Sequence, residues 1–289
     1  MRLRLTVFGC VILLSGAVAR AQLLNNASLT GKYYFVQLLV EVPVGQAATA
    51  RNAGGAITFD GSGSYTYSGK LGMGSGALAA VSGQGTYSVE PNGAVTLSSP
   101  IRGGANLTAW LSADRLVLLG AGTEAPDNAN DIFMAIRAPQ AAASNALLAG
   151  AYSGASLAFP NGDVSGVRSA LLLLAASGAG RFTRVAVSGH AADQVGRNVA
   201  QEVSAASYSI GADGTGSASF GTAADLFSGE REIFVSSDGD YVLGYSTAGA
   251  RDILVAVKGF AAPVPATALD GLYRIAELTF DGRSLSLIH

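Results

Sequence analysis

The sequence predicts an all-β fold: two tandem antiparallel meanders, each closing into a β-barrel-like domain, followed by a truncated third repeat. Three observations predict it. Apolar side chains alternate with polar ones along short runs punctuated by Gly, Asn and Asp, the period-two signature of strands with one buried face. Landmarks recur at one long period: Leu29-Thr-Gly31-Lys-Tyr33, Leu148-Ala-Gly150-Ala-Tyr152 and Leu269-Asp-Gly271-Leu-Tyr273 place their glycines 119 and 121 residues apart. Charged residues make up 13% of the chain, against about 25% in ordinary soluble domains, so Ser, Thr, Asn, Gly and Ala must coat the surface.

Residues 1–21 read as a secretory signal peptide. Arg2 and Arg4 supply the charged start, Leu5 to Leu14 the apolar stretch, and Ala19-Arg20-Ala21 the small-x-small cleavage site, so the mature chain begins at Gln22. An uncleaved anchor is the alternative, but the run is shorter than the roughly 18 to 20 apolar residues that span a bilayer. Cys10, the sole cysteine, sits mid-run rather than at the end where a lipid anchor needs it. The mature chain then has no thiol and relies on core burial despite an oxidising destination. It is expected to be secreted, cell-surface or periplasmic, without a transmembrane segment. Losing Arg2, Arg4 and Arg20 leaves 15 basic residues against 20 acidic ones, which argues against a nucleic-acid partner.

Repeat 1 occupies residues 22–138. Ile57 and Phe59 lead into Asp60-Gly61 and out through Tyr65 and Tyr67. Tyr87 and Val89 do the same around Asn92-Gly93 with Val95 and Leu97, and Leu107, Ala109 and Leu111 around Ala113-Asp114 with Leu116 and Leu118. Ile132, Met134 and Ile136 mark the last strand. Short turns join sequence neighbours, so the path is a meander of seven or eight strands. A linker, 139–145, precedes repeat 2 at 146–260, where Tyr208-Ser-Ile210 and Asp252-Ile-Leu-Val-Ala-Val-Lys258 answer Tyr87-Ser-Val89 and Asp131-Ile-Phe-Met-Ala-Ile-Arg137 at an offset of 121. A second linker, 261–267, leads to the opening strand of a truncated repeat 3 at 268–289, which could instead add a strand to repeat 2. A period this long is the size of an independent small domain, so the repeats are expected to be separate beads. A barrel covers the apolar face most simply; a two-layer sandwich competes. Val195, Val199 and Val203 fit a short helix, or equally a strand or loop.

The Gly-x-Tyr openings (Gly31 with Tyr33, Gly150 with Tyr152) and the basic residues of the last strands, Arg137 and Lys258, resemble the structural signature of calycins, the lipocalin and avidin-like barrels. The resemblance implies a basic stem packed over the early aromatic ring at the closed end of each barrel; Tyr stands here where those families usually carry Trp. With its Phe59-Asp60-Gly61-Ser62-Gly63 turn and Gly85-Thr86-Tyr87-Ser88-Val89 strand, the repeat as a whole is similar to uncharacterised β-repeat proteins exported by bacteria, a resemblance that brings no activity.

Catalysis needs convergent titratable or nucleophilic groups, and the sequence is poor in them. His190 and His289 are its histidines; Ser188-Gly-His190 reads as a strand with a surface histidine, and no residue is assigned a catalytic role. Cys and His are too few for a zinc site. Asp60-Gly61, Asp213-Gly214 and Asp238-Gly239 read as turns rather than calcium loops, and Gly72 to Gly76 as a loop. No cofactor is expected. Arg51, Arg102, Arg168, Arg181, Arg184 and Arg197 read as scattered solvated residues. The expected function is a non-enzymatic extracytoplasmic structural or interaction module engaging a surface or matrix partner. The alternative is a binding protein holding a small apolar ligand inside each barrel, with Tyr33, Tyr65, Tyr67, Trp110, Tyr152 and Phe182 as candidate lining.

Overall fold

A computed structural model describes residues 23–42, 47–122, 129–194, 198–222 and 226–259, together with the backbone of 277–280 and 285–288. The signal peptide, the 261–267 linker and most of repeat 3 lie outside the described residues.

The first half is a closed eight-stranded antiparallel barrel. Its strands are β1 (Thr30–Glu41), β2 (Thr49–Asp60), β3 (Ser64–Met73), β4 (Ala79–Val89), β5 (Ala94–Ser98), β6 (Asn106–Leu111), β7 (Val117–Ala121) and β8 (Ala129–Arg137). Each pairs with the next, and β8 returns to β1 with Arg137 opposite Tyr33. The turns form where side chains satisfy local backbone donors. The Asp60 carboxylate accepts the N–H groups of Ser62, Gly63 and Ser64 at 2.7, 3.0 and 3.0 Å, and these bonds hold its pKa below the ordinary value. Asn92 does the same for Ala94 at 2.9 Å.

The second half is a nine-stranded sheet curled on itself. Its strands are β9 (Ala149–Pro160), β10 (Arg168–Ser177), β11 (Phe182–Ala191), β12 (Val199–Glu202), β13 (Ser207–Ile210), β14 (Thr215–Ser219), β15 (Glu230–Val235), β16 (Tyr241–Ser246) and β17 (Ala250–Lys258), in the order β12-β11-β10-β9-β17-β16-β15-β14-β13. Its two end strands follow one another in the chain, separated by a break where Ala205 has φ +57°. Around the break the Val203 N–H donates to the Val185 carbonyl at 2.9 Å, Phe182 to Ala206 at 3.1 Å and Tyr208 to Gly180 at 2.9 Å, so β11 bonds to both sides. The stretch that could have been helical is therefore strand over Val199–Glu202. At the end of the chain β18 (Glu277–Phe280) and β19 (Leu285–Ile288) pair with each other as a separate two-stranded sheet, Glu277 opposite Ile288.

The closed barrel and the curled half-barrel, the latter called the second barrel below, are not independent beads. β1 is buried on both faces: Tyr33 and Phe35 point into the first barrel, while Tyr34, Val36, Leu38 and Val40 pack outward against Phe159, Phe234, Leu243, Tyr245 and Ile253 of the second. The reason is written in Tyr33-Tyr34-Phe35-Val36, an unbroken apolar run extended by Leu38, Leu39 and Val40, as a strand covered on two sides requires. Among the described residues no helix is long and apolar enough to cross a membrane.

Candidate functional site

The barrel interiors are the first place to seek a ligand. In the first barrel the rings form a connected chain. Tyr33 meets Phe59 edge-on at 5.5 Å, Phe59 meets Tyr65 at 5.8 Å and Tyr87 at 5.0 Å, Tyr65 meets Tyr67 at 6.2 Å, and Phe35 joins Tyr67 at 6.4 Å to Phe133 at 5.9 Å. Such spacings are those of packed aromatic pairs. The buried hydroxyls are satisfied by backbone: Tyr33 donates to the Arg115 carbonyl at 2.7 Å and Tyr65 to that of Ser98 at 2.5 Å. Burial pushes the pKa of both phenols up. In the second barrel Tyr152 donates to the Gly239 carbonyl at 2.6 Å, and half-buried Phe182 lies tilted against Tyr208 at 4.9 Å and stacked on Phe220 at 5.5 Å. Five of the six candidate lining residues thus face inward as core filling. Trp110 does not: its neighbours Ala109 and Leu111 take the inward positions of β6, so alternation puts Trp110 on the outer face.

The closed ends show why the opening glycines are glycines. Gly31 and Gly150 have φ of +92° and +111°, a region L side chains rarely adopt, and each lies under a basic stem. A Cβ on Gly31 would come 3.9 Å from an Arg137 guanidinium nitrogen, and one on Gly150 3.4 Å from Lys258 Cε. The Arg137 guanidinium is 5.8 Å from the Tyr33 ring centre, while Lys258 reaches Asp240 at 3.7 Å. Sequence reasoning missed the caps beside them. Asn26 Oδ1 accepts the Val89 N–H at 2.8 Å and Asn145 Oδ1 that of Ile210 at 2.7 Å, while Tyr87 and Tyr208 donate to the Leu29 and Leu148 carbonyls at 2.8 and 2.7 Å. The signal was there, Asn26-Ala27 and Asn145-Ala146 being 119 residues apart.

Each barrel also buries a carboxylate from its last strand. Asp131 accepts from Gln37 Nε2 and from the Gly122 N–H, both at 2.5 Å, and Gln37 Nε2 also reaches Ser99 Oγ at 3.0 Å. Arg102 is 5% exposed, not solvated as its sequence context suggests, and its backbone N–H donates to the same Ser99 oxygen at 3.2 Å. In the second barrel Asp252 pairs with buried Arg231 at 2.9 Å and receives the Ser246 N–H. The Arg231 guanidinium lies 3.8 Å from the Phe227 ring centre and 5.5 Å from that of Phe220. The Asp60, Asp213 and Asp238 turns bind their own backbone or hydroxyl donors. His190 is exposed on β11, opposite Ser169.

Between the barrels runs a seam of specific polar contacts. Arg251, fully buried, donates from the second barrel to the Met73, Gly74 and Gly76 carbonyls of the first. Asn52 Nδ2 donates to the Asp252 carbonyl at 3.2 Å and the Tyr34 hydroxyl to that of Asp213 at 2.7 Å. The Tyr34 ring stacks on Phe234 at 4.9 Å. At the seam's edge Glu232 accepts from Lys70 at 2.7 Å and from Tyr245 at 3.0 Å, beside a polar cleft of about 520 Å³ that includes Ser209, Thr215 and Glu230. Burial, with Glu232 beside it, pushes the Tyr245 pKa up.

The remaining feature is an apolar groove of about 590 Å³ on the outer face of the second barrel, over β9 to β12, among Ser153, Leu171, Leu173, Ala186, Ser188 and Ala200. Leu171 and Leu173 are 66% and 56% exposed, and Val257 on β17 is 42% exposed. Large apolar side chains gathered on a surface mark interaction sites. A second groove of about 550 Å³ lies on the first barrel, with Thr58, Thr66, Gln84 and Thr86 in its lining.

No protein-family model matches the chain, and no curated protein does. Among solved structures, the isotype 1 transferrin binding protein B of serogroup B Neisseria meningitidis is similar over 80% of this chain and 77% of its own, at 7% identity and a TM-score of 0.29. A protein of unknown function of the DUF3598 family from Nostoc punctiforme is similar over 80% of this chain and 97% of its own, at 12% identity and a TM-score of 0.23. Likenesses this distant carry no argument about what the chain does.

Proposed function

We propose that the chain is a non-enzymatic, extracytoplasmic structural or interaction module, built from two copies of one barrel joined into a single unit and acting through its outer surface. One observation carries the reading: the interior positions are occupied by rings in mutual contact, while Leu171 and Leu173 stand exposed on the outside. A protein that binds in its barrel needs a hollow lined by apolar side chains with a few convergent polar groups; here the inward tyrosines are tied to backbone carbonyls instead. The charged start, apolar run and small-x-small site support export. The matched caps at Asn26 and Asn145, and the matched carboxylates at Asp131 and Asp252, support duplication.

The small-ligand reading keeps one observation. Gln37 Oε1 and Ser156 Oγ, buried at corresponding places on β1 and β9, have no hydrogen-bond partner among the described residues, and buried polar atoms are seldom left so. Native mass spectrometry of the mature protein purified from its own host separates the two. The module reading expects the mass of polypeptide alone, and a stoichiometric small molecule retained by the folded chain would favour the alternative.

A further inference from the structure

We propose that the outer face of the second barrel is where two copies of this chain pair, an inference that rests on reading the chain as an interaction module. In the second sheet β9 and β10 hold the place that β1 and β2 hold in the first: β9 pairs with the last strand β17 as β1 does with β8. The registers agree, Tyr33 standing opposite Ile57 and Tyr152 opposite Leu174. Gly54, opposite Val36, therefore corresponds to Leu171, opposite Ala155; Ala56, opposite Tyr34, corresponds to Leu173, opposite Ser153.

The two faces reverse their sizes. On the first barrel the large residues stand on β1 and the small ones on β2, and Tyr245 sits over Gly54. On the second the leucines stand on β10 and the small residues on β9. A tyrosine arriving as Tyr245 does would meet the Leu171 side chain, so this face does not take a further barrel in the manner of the seam. It fits itself. Turned about a two-fold axis running parallel to the strands between β9 and β10, the leucine ridge of one copy falls over the Ser153 and Ala155 furrow of the other, the self-complementary contact that a two-fold dimer requires.

The surroundings favour that occupant. Leu157 and Val255 are half-buried in the inter-barrel seam, and Ala155 and Val257 are the next outward positions on the same strands, so the exposed face continues an interface already made. Arg184 and Glu202 form an exposed pair at 3.4 Å on the far edge, and such a neutral pair sets no like charges against each other across the axis.

Light scattering and sedimentation on the mature chain test the pairing. The wild type is expected to dimerise with concentration, and Leu171→Asp, at a side chain 66% exposed, to weaken the dimer more than about a hundredfold with thermal unfolding unchanged at dilutions where both chains are monomeric. Ser153→Arg, in the furrow, should do the same independently of any effect on the ridge. Leu171→Lys and Ala155→Asp should each be monomeric alone and pair better when mixed, because the axis sets position 171 of one copy against 155 of the other. A wild type monomeric at every concentration and carrying no small molecule would overturn the pairing while leaving the module reading in place. So would a dimer indifferent to Leu171→Asp, or a monomer that instead binds phosphatidylcholine vesicles.

Discussion

The ring of Tyr245 in the second barrel lies against the Cα of Gly54 in the first, so close that a Cβ built on Gly54 would overlap it. Gly54 is in extended backbone on β2, so it is glycine here for space. The Tyr245 ring continues a stack through Phe234, at 6.1 Å, to Tyr34, and its hydroxyl ends on Glu232. Placing a branched side chain at 54 pushes this ring out of the seam. Gly54→Val is expected to destabilise the chain by about 1 to 3 kcal/mol, the usual range of overpacking, read as a lower urea midpoint.

Arg251 is the polar counterpart of that contact. Its buried guanidinium serves the Met73, Gly74 and Gly76 carbonyls of an exposed turn across the seam, and hydrogen bonds to charged groups contribute about 1.5 to 3 kcal/mol each. Arg251→Met should cost about 3 kcal/mol or more in equilibrium unfolding, and amide exchange should quicken around residues 73–78 in the first barrel although the substitution is in the second.

The Arg231–Asp252 pair makes a double-mutant test. Removing one member leaves a buried charge, so Asp252→Ala should cost about 3 to 5 kcal/mol, whereas replacing both with apolar residues is often far less damaging. The double variant Arg231→Leu/Asp252→Leu is expected to be more stable than Asp252→Ala in chemical denaturation. Equal losses would show that the Ser246 N–H bond to Asp252, rather than the ion pair, carries the stability.

Much of this architecture was legible in the residues, and what was not has physical reasons. Alternation along Ile57 to Tyr67 and the Asp60-Gly61 turn predict the β2–β3 hairpin as found. The inter-barrel seam was missed because period-two reasoning assumes one solvated face; the continuous apolar β1, the small Gly54 and Ala56 beside it, and the matching outward Phe234 and Tyr245 were the evidence against that assumption. Trp110 was misplaced because aromaticity was weighed above its register between Ala109 and Leu111. Arg231 and Arg251 are buried through partners distant in sequence, which local spacing does not reveal. Leu171 and Leu173 belong to an unbroken Leu171-Leu172-Leu173-Leu174 run, which speaks for a strand apolar on both faces but not for what covers the outer one.

Tyr152 sets an alkaline limit. Burial, with Asp240 nearby, pushes its pKa from 10.0 up to about 12. The folded chain holds this proton more tightly than the unfolded one, so the contribution is fully present below the unfolded value and is lost as pH rises through the window from 10.0 to about 12. Stability measured across that window should fall, and Tyr152→Phe should flatten the fall while lowering stability at neutral pH through loss of the hydrogen bond to Gly239. A slope unchanged by the substitution would assign the loss to other phenols.

Differential scanning calorimetry of the chain from Gln22 onward bears most directly on the claim that the barrels form one unit. The seam described above predicts one transition for both barrels, with calorimetric and van't Hoff enthalpies in agreement. Two well-separated transitions, each unaffected by Gly54→Val or Arg251→Met, would contradict it.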